Sequence, residues 1–472
     1  MKILLTVHQF FPDYSSGTEV LTHSVARELQ RQGHEVVVLT GFPDAEPLQD
    51  RERFDQYELD GIRVFRFHHA FVLMGGQTHL AEIEYCNVLA AQYFTQLVKD
   101  FNPDIIHFFH LSRLGAALMD VAFAASIPAY YTPTDFWSIC LTSQLVLEDG
   151  TMCAGPTRFG GNCVKHAAQL TRRGLAKRVI DIVPEGMIEG LARLTAGNVL
   201  PPYPFSHDIA AVSRRKDFIV KRLNSLSKIV APTQLMMDML IAHGVNKASI
   251  IKSAYGIDTS FYEAYPRADT DSGVLTLGFI GTFSSHKGCH VLLEAVNLLK
   301  SEDIRVKIYG RSFGAPEYDE QLRRLAAVDG RVEFCGTFPN EEIGRILSEI
   351  DVLVVPSLWY ENTPLVIYSA LASGCPVVAS DFPGMSEVIV NNENGLLFKP
   401  GDVQELCNKL LLLKQERNVL MRLRRNCRKP KSTHQYVNEL VTLYQAGRKS
   451  DPASPAGTKS DPPPRQTVGD IN

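Results

Sequence analysis

The sequence lacks the features of a membrane-spanning, nucleic-acid-binding or secreted protein. No stretch offers the roughly 18 consecutive apolar residues that a spanning helix needs. The 48 Lys and Arg are outnumbered by 52 Asp and Glu, which argues against a nucleic-acid partner. The N-terminal apolar run leads into Gln9, Pro12 and Asp13 without a small-residue cleavage site. We therefore expect a cytoplasmic protein whose nine cysteines, an odd number, are reduced thiols.

Strands alternate with helices in each half of the 472-residue chain. The strands predicted in the first half span 3–7, 36–39, 63–67, 103–107 and 129–132. The second half repeats the scheme from a strand at 275–280 to one at 376–379. Near-continuous apolar strands such as Val352–Val355 need cover on both faces, which predicts α/β domains with parallel sheets. Two such sheets leave a cleft between them, and ligands bind at the carboxyl ends of their strands.

The most informative stretch runs from Asp351 to Gly384. A buried strand ends before a loop with Glu361, and Thr363 can cap a helix whose first position is Pro364. Gly374 is placed to end this helix.

Backbone amides at the start of this helix form an anion site suited to a diphosphate, contributed by Asn362, Thr363 and Leu365. Glu361 lies beside them as an acceptor for a sugar hydroxyl. The alternative is a plain strand–loop–helix packing unit with a solvated glutamate.

A second element lies at the start of the same half. Gly278 to Gly281 end a strand, and Lys287 with Gly288 precedes the next helix. A glycine turn with a nearby lysine can approach and neutralise phosphate oxygens. The alternative is a solvated loop lysine.

The order of these motifs resembles glycosyltransferase family 4, the glycosyl transferases of group 1. The donor-domain segments are G-T-F-S-S-H-K-G-C-H-V-L-L-E-A, then P-S-x-x-Y-E-N-T-P-L-V, then A-S-G-C-P-V-V-A-S-D. The opening HQFFPDYSSGTEVLTHSVARELQRQGHEVVVLT is similar to that family's first strand, glycine loop and helix. The resemblance covers about residues 1–135 and 206–446.

The resemblance implies the GT-B arrangement, two facing Rossmann-like α/β domains. We expect an N-terminal acceptor domain at 1–205, with a Cys-rich insertion at about 136–205. The C-terminal donor domain would span 206–430, with 206–270 as an interdomain segment. A final helix at 431–447 would return to the first domain, and 448–472 would be a disordered tail.

The resemblance also assigns roles to matching positions. Lys287 corresponds to the lysine that holds the donor diphosphate, and Glu361 to the acid that contacts the donor sugar. Gly17 matches the acceptor-side glycine loop, which also approaches the donor. The amides of the phosphate-binding helix start correspond to the segment from Asn362 through Thr363 and Pro364 to Leu365.

Three positions depart from the family pattern. Ser369 stands where a second acid usually binds the nucleotide ribose, so the charge-assisted contact is replaced by a neutral one. Thr282, after Gly281, stands near the position of a common arginine. Thr134 replaces a histidine that usually contacts the donor sugar; beside it, Asp135 either takes over a polar contact with donor or acceptor, or the contact is absent.

The implied activity is hexosyl transfer from a nucleotide sugar, with retention of configuration, to a saccharide, lipid-linked or small-molecule acceptor. In the family mechanism the donor phosphate helps to deprotonate the acceptor, so transfer requires no cofactor. Lys287, Glu361 and Asp135 are the predicted catalytic set. A sugar-nucleotide-binding scaffold that has lost transfer is the second hypothesis, and an epimerase of the same fold is a poorer third.

The insertion contains four residues that suit zinc: Cys140, Cys153, Cys163 and His166. Three thiolates and an imidazole can complete a tetrahedral structural site. Only the last pair has finger-like spacing, and the alternative is reduced cysteines packed in an irregular loop.

A basic, partly apolar stretch follows at 172–194. It suits contact with an anionic membrane, at the inner face, near a lipid-linked acceptor. The alternative is a solvated helix that packs on the first domain. His107 and His110 at a strand end, and Trp137 and Trp359 beside motif acids, either line the cleft or pack the core.

Overall fold

The computed structural model describes residues 1–44, 48–265, 273–312, 316–328, 330–362 and 364–449. Residues 450–472, most of the predicted tail, lie outside this description. The sequence predicts two sheets, and in the described part of the chain the strands form two, with eight and six strands.

The first sheet has the order β3-β4-β2-β1-β5-β6-β7-β8. Its pairings are parallel except for the edge pair β3–β4. The strands are β1 (Lys2–Val7), β2 (Glu35–Pro43), β3 (Phe54–Leu59), β4 (Ile62–His69), β5 (Ile105–Phe108), β6 (Ala129–Tyr131), β7 (Lys228–Ala231) and β8 (Ile250–Lys252).

The second sheet has the order β11-β10-β9-β12-β13-β14, and all its pairings are parallel. The strands are β9 (Leu275–Ile280), β10 (Ile304–Tyr309), β11 (Val332–Gly336), β12 (Val352–Val355), β13 (Val377–Ser380) and β14 (Gly395–Phe398). β12 is buried along its whole length, as a strand covered on both faces must be.

Helices connect the strands of each sheet. Within the described ranges they are α1 (Gly17–Arg31), α2 (Leu80–Ile83), α3 (Val88–Phe101), α4 (Ala117–Ala124), α5 (Gly161–Thr171), α6 (Gly174–Ile182), α7 (Glu185–Ala196), α8 (Ser206–Leu223), α9 (Gln234–Ala242), α10 (Ser260–Glu263), α11 (Cys289–Leu298), α12 (Pro316–Ala326), α13 (Ile343–Ser348), α14 (Leu365–Ala372), α15 (Val403–Gln415), α16 (Arg417–Arg425) and α17 (Thr433–Lys449). None of them combines the length and apolarity needed to cross a membrane.

The spacing of apolar residues explains how the connecting helices pack. Leu21, Val25 and Leu29 recur every four residues on α1, and each is no more than 2% exposed. Burial of each such side chain contributes roughly 1.5–3 kcal/mol. Gly33 follows the helix with φ +81°, a conformation that favours glycine.

The predicted segment 206–270 is divided differently in the structure. Its strands β7 and β8 complete the first sheet, because the apolar run Ile229–Ala231 is buried beside β6. The helices α8 and α9 accompany them. The boundary assigned at residue 205 is therefore corrected, and the chain passes to the second sheet after β8.

The last helix lies against the N-terminal domain. On α17, His434 contacts Glu28 of α1 at 2.7 Å, and the carbonyl oxygen of Leu443 accepts a hydrogen bond from Tyr130. One buried apolar cluster contains residues of both domains, including Tyr255 and Tyr368. The two domains thus meet along a packed interface that flanks the cleft.

Candidate functional site

The predicted donor residues meet where β9 and β12 end, since these strands are parallel neighbours. After β9, a turn of 3-10 helix at Ser285–Lys287 leads to Gly288, whose φ is +69°. A Cβ at Gly288 would overlap the carbonyl oxygen of Pro356, so only glycine allows this approach. The amide of Leu358 donates to His286 O at 2.7 Å, which joins the two loops.

Glu361 is buried at this junction, and three donors converge on one of its oxygens. Lys287 Nζ and Ser357 Oγ each lie 2.7 Å from Oε1, and Trp359 Nε1 lies 2.8 Å away. Burial raises the pKa of Glu361, but the lysine charge and the three hydrogen bonds outweigh it and lower the pKa overall. The carboxylate is therefore ionised and held in one orientation.

Lys287 is the more solvent-exposed residue of the Lys287–Glu361 ion pair. Its side chain is 25% exposed, against 6% for Glu361. The ammonium group lies 5.0 Å from the centre of the Trp359 ring, within cation–π range. Trp359 thus packs the loop and orients the ion pair, while Lys287 keeps the exposure that an incoming anion requires.

The helix that follows differs by one residue from the prediction. α14 begins at Leu365, and Pro364 is its N-cap residue, not its first helical position. The difference lies within the usual variation of helix ends. Gly374 follows the helix with φ +67°, as predicted for its end. Thr363, the predicted cap, lies outside the described residues.

Asn362 connects the donor loop to the N-terminal domain through its side chain. Its Nδ2 donates to Pro133 O at 3.0 Å and Tyr255 Oη at 3.2 Å, and its Oδ1 accepts from Thr233 at 2.9 Å. Its predicted contribution was a backbone amide; the side-chain bridge was not foreseen. The bridge holds the donor loop against the other wall of the cleft.

Gly17 of the N-terminal domain lies close to α14 of the second domain. A Cβ at Gly17 would be 3.9 Å from Leu365 Cδ1, an ordinary van der Waals contact. The predicted glycine loop and the predicted phosphate-binding helix start therefore face each other at close range.

Ser369 is engaged within its own domain. Its hydroxyl donates to Leu365 O at 3.1 Å and accepts from Tyr262 at 2.8 Å. Burial raises the pKa of Tyr262 to about 12, so its phenol stays protonated and donates. A nucleotide ribose bound as predicted would have to share the Ser369 hydroxyl with Tyr262 and Leu365 O, which are already its partners.

Gly281 and Thr282 lie at the end of β9 and are half-buried. The Gly281 amide donates to Tyr309 O at 3.0 Å, so the sheet already uses it. Of the three residues predicted to bind phosphate in this loop, Lys287 is the one that carries a positive charge.

On the acceptor side, Asp135 is fixed by two donors. Its Oδ1 accepts from the amide of Trp137 at 2.8 Å, and its Oδ2 lies 2.9 Å from His110 Nε2. The amide of Ser112 donates to His110 Nδ1, so the proton of the neutral ring is on Nε2 and points at Asp135. Asp135 remains 30% exposed, which suits contact with a ligand.

His8 and Glu19 complete this wall, and neither is among the residues predicted from the sequence. The His8 and His110 rings are 4.1 Å apart, and His8 Nε2 is 3.6 Å from Glu19 Oε1. Burial raises the pKa of Glu19; burial, then His110 and Arg113, lower the pKa of His8. A histidine directly after the first strand and an acid two residues after Gly17 were the available signals.

Other predicted cleft residues belong to the core. His107 is fully buried and contacts Tyr444 Oη and Thr132 Oγ1. Trp137 is 1% exposed, and its Nε1 donates to Glu84 at 2.6 Å. Both His107 and Trp137 therefore pack the core and do not line the cleft.

The four predicted zinc ligands, Cys140, Cys153, Cys163 and His166, line one cavity of about 20 Å³. Burial, with Cys140 and Cys153 nearby, raises the pKa of Cys163 to about 12. Across the described ranges, no three or more His, Cys, Asp or Glu side chains are arranged to hold a metal ion. A structural zinc stays a prediction.

Comparison with known proteins identifies the family and the fold. The family model described as Glycosyl transferase 4-like domain matches residues 16–186, and that described as Glycosyl transferases group 1 matches residues 275–416. The fold is GT-B: HepE of Anabaena, solved in complex with UDP-glucose, has a TM-score of 0.59 at 17% identity, covering 95% of this chain and 98% of HepE.

Two curated relatives are glycosyltransferases by name. The amylovoran biosynthesis glycosyltransferase AmsK of Erwinia amylovora is 31% identical over 211 residues, 43% of this chain and 50% of AmsK. The putative colanic acid biosynthesis glycosyltransferase WcaL of Escherichia coli K12 is 26% identical over 180 residues, 36% of this chain and 44% of WcaL. The matches thus span about half the length of these relatives. The chain belongs to the glycosyltransferases of group 1, family 4.

Proposed function

We propose that the chain transfers a hexosyl group from a nucleotide sugar to a saccharide, lipid-linked or small-molecule acceptor, with retention of configuration. The observation that carries this proposal is the Lys287–Glu361 pair beside the start of α14, facing Gly17 across the cleft. A cation, an oriented carboxylate and a helix N-terminus together fit a sugar diphosphate.

Each donor-side group has one task. Lys287 stabilises the negative charge that grows on the diphosphate as the glycosidic bond breaks. Glu361 accepts a hydrogen bond from a sugar hydroxyl and fixes the sugar. Because three donors hold Oε1, the carboxylate needs no reorganisation when the donor binds.

The acceptor hydroxyl enters from the side of Asp135 and His110. Its oxygen bonds to the anomeric carbon on the face from which the diphosphate departs, and its proton passes to the departing phosphate oxygen. Asp135, held by the Trp137 amide and His110, orients the acceptor. Orientation of two bound reactants is a large part of the rate gain expected in such a site. The proposed transfer uses no cofactor.

A saccharide is the acceptor class that we favour. The names of AmsK and WcaL place both in the biosynthesis of polysaccharides. The exposed carboxylate of Asp135 suits hydroxyl groups, which saccharides present in number.

The test is turnover of a panel of UDP-, GDP-, ADP- and dTDP-sugars with mono- and oligosaccharide acceptors, and NMR of the anomeric proton in the product. We expect one nucleotide sugar to give a product with the donor's anomeric configuration. An inverted product would contradict retention of configuration. An absence of turnover with every donor would contradict the proposal that the chain is an active glycosyltransferase.

The second candidate is a sugar-nucleotide-binding scaffold. Ser369 favours it, because its hydroxyl already has Tyr262 and Leu365 O as partners where the family usually offers an acid to the ribose. Donor binding without turnover in the same panel would select this candidate.

A further inference from the structure

The helices α5, α6 and α7 expose apolar side chains in a density found nowhere else in the described chain. The described residues include nineteen exposed large apolar side chains, and nine of these lie between residues 170 and 205. We call these nine the insertion surface: Leu170, Leu175, Val179, Ile182, Met187, Leu191, Leu194, Val199 and Phe205. Large exposed apolar areas on soluble proteins mark sites that a partner or a membrane covers.

The clearest part of the insertion surface is on α6. Leu175, Val179 and Ile182 have the spacing that places residues on one face of a helix, and they are 77%, 56% and 80% exposed. α6 buries no residue at all. A stripe of similar spacing on α1 is buried, whereas this stripe on α6 does not pack the domain's core.

The charge of the region is positive although that of the whole chain is −4. Between residues 158 and 205 there are seven Lys and Arg and three Asp and Glu. Two of the three acids are engaged locally: Asp181 contacts Lys177 at 3.1 Å, and Glu189 accepts from Thr157 at 2.6 Å. The charge left to face an outside partner is therefore basic.

A groove of about 1020 Å³ between α7 and α8 continues this surface. Leu194 and Val199 of the insertion surface line it. Five cations and Asp217 also line it, the cations being Arg158, Arg193, Arg214, Lys221 and Arg222. A basic groove beside exposed apolar side chains offers sites for phosphate headgroups next to sites for acyl chains.

We propose that the insertion surface binds the face of an anionic phospholipid bilayer. The apolar side chains of α6 enter the boundary between headgroups and acyl chains, and Arg173, Arg178 and the groove contact headgroup phosphates. Apolar residues combined with Lys and Arg on short helices are typical of interfacial membrane binding. This proposal does not depend on glycosyl transfer.

The test is flotation of the full chain with vesicles of phosphatidylcholine containing about one third phosphatidylglycerol, and with pure phosphatidylcholine. We expect binding to the anionic vesicles that decreases in high salt. Leu175→Ser with Ile182→Ser, and separately Arg173→Glu with Arg178→Glu, should each weaken binding about tenfold or more. Leu298→Ser with Lys300→Glu, exposed positions on the other domain, is the matched control and should bind as wild type.

Four outcomes would overturn the proposal. Wild type could fail to float with anionic vesicles in low salt. The control could lose as much binding as the α6 variants, or pure phosphatidylcholine could bind equally well. Finally, sedimentation could show a dimer that Leu175→Ser with Ile182→Ser converts to a monomer, which would make the surface an interface between two copies. All substituted side chains are exposed, and circular dichroism verifies that the variants fold.

Discussion

Buried polar groups on the two walls of the cleft favour opposite ionisation states. On the donor wall, Glu361 is buried yet ionised, because Lys287 and two further donors reach one of its oxygens. On the acceptor wall, burial raises the pKa of Glu19 and lowers that of His8, which favours their neutral forms. Within the described residues, His8 Nδ1 has no hydrogen-bond partner.

The difference indicates a division of labour. In the proposed function, the donor wall is preorganised for a ligand of fixed charge, as a diphosphate is. The acceptor wall holds buried groups whose neutral forms are favoured, which in the proposed function suits the binding of neutral hydroxyl groups. In the proposed function, Asp135, fixed by His110 but still exposed, is the residue through which the acceptor wall contacts the ligand.

The largest effect should come from the donor wall. Lys287→Ala or Glu361→Ala should reduce kcat/KM for transfer about 100- to 1000-fold, because each removes charge stabilisation or sugar orientation. The double variant should be little worse than either single one, since the two residues act as a unit. Initial rates of transfer measure this. Lys300→Ala, an exposed lysine of the same domain, is the control; wild-type rates in both site variants would refute the assignment.

The acceptor wall should respond to Asp135→Asn with a smaller loss, about 10- to 100-fold in kcat/KM for the acceptor. Donor-induced stabilisation should be unchanged, because the donor site is on the other wall. Acceptor kinetics together with thermal shift measure the two effects. An equal loss of donor binding would instead make Asp135 a donor contact.

Acid should destabilise the N-terminal domain through its buried imidazoles. Burial lowers the pKa of His69 to about 4 and that of His107 to about 3. Their contribution is complete above pH 6.5, the pKa of an unfolded histidine, and is lost as pH falls toward the folded values. Each of the two histidines should lower the free energy of unfolding by about 2 kcal/mol between pH 7 and pH 5.

Thermal unfolding of His69→Gln across this range measures the effect. The variant should show a flatter dependence on pH than wild type, and the exposed His207→Gln should not. An unchanged slope in His69→Gln would show that this imidazole does not contribute.

The smallest effect is expected at Ser369. Ser369→Ala leaves Tyr262 without its acceptor and should cost about 1–2 kcal/mol in the free energy of unfolding. Donor affinity should change less than about threefold, because the hydroxyl already has two partners. Denaturant unfolding and nucleotide titration measure the two quantities. A tenfold loss of donor affinity would show that Ser369 contacts the ribose after all.

Local chemistry made much of the donor wall predictable. The loop glycines, Lys287, Glu361 and the end of α14 at Gly374 follow from short motifs, since turns and helix ends depend on neighbouring residues. The apolar strands 352–355 and 377–380 were equally plain because they are buried on both faces.

Contacts distant in sequence were not predictable from one chain. Asn362 reaches Pro133, 229 residues away, and Tyr262 reaches Ser369 over 107 residues. The pairing of β7 with β6 moved part of 206–270 into the first domain for the same reason. Such contacts depend on how elements pack, which local spacing does not encode.

The most direct measurement of the central claim is thermal unfolding of wild type and Lys287→Ala with UDP-, GDP-, ADP- and dTDP-sugars. A ligand that binds only the native state raises the unfolding temperature. We expect that at least one nucleotide sugar stabilises wild type and that Lys287→Ala loses most of this stabilisation. If none stabilises wild type, or if the variant responds as strongly, the Lys287–Glu361 pair is not the donor site.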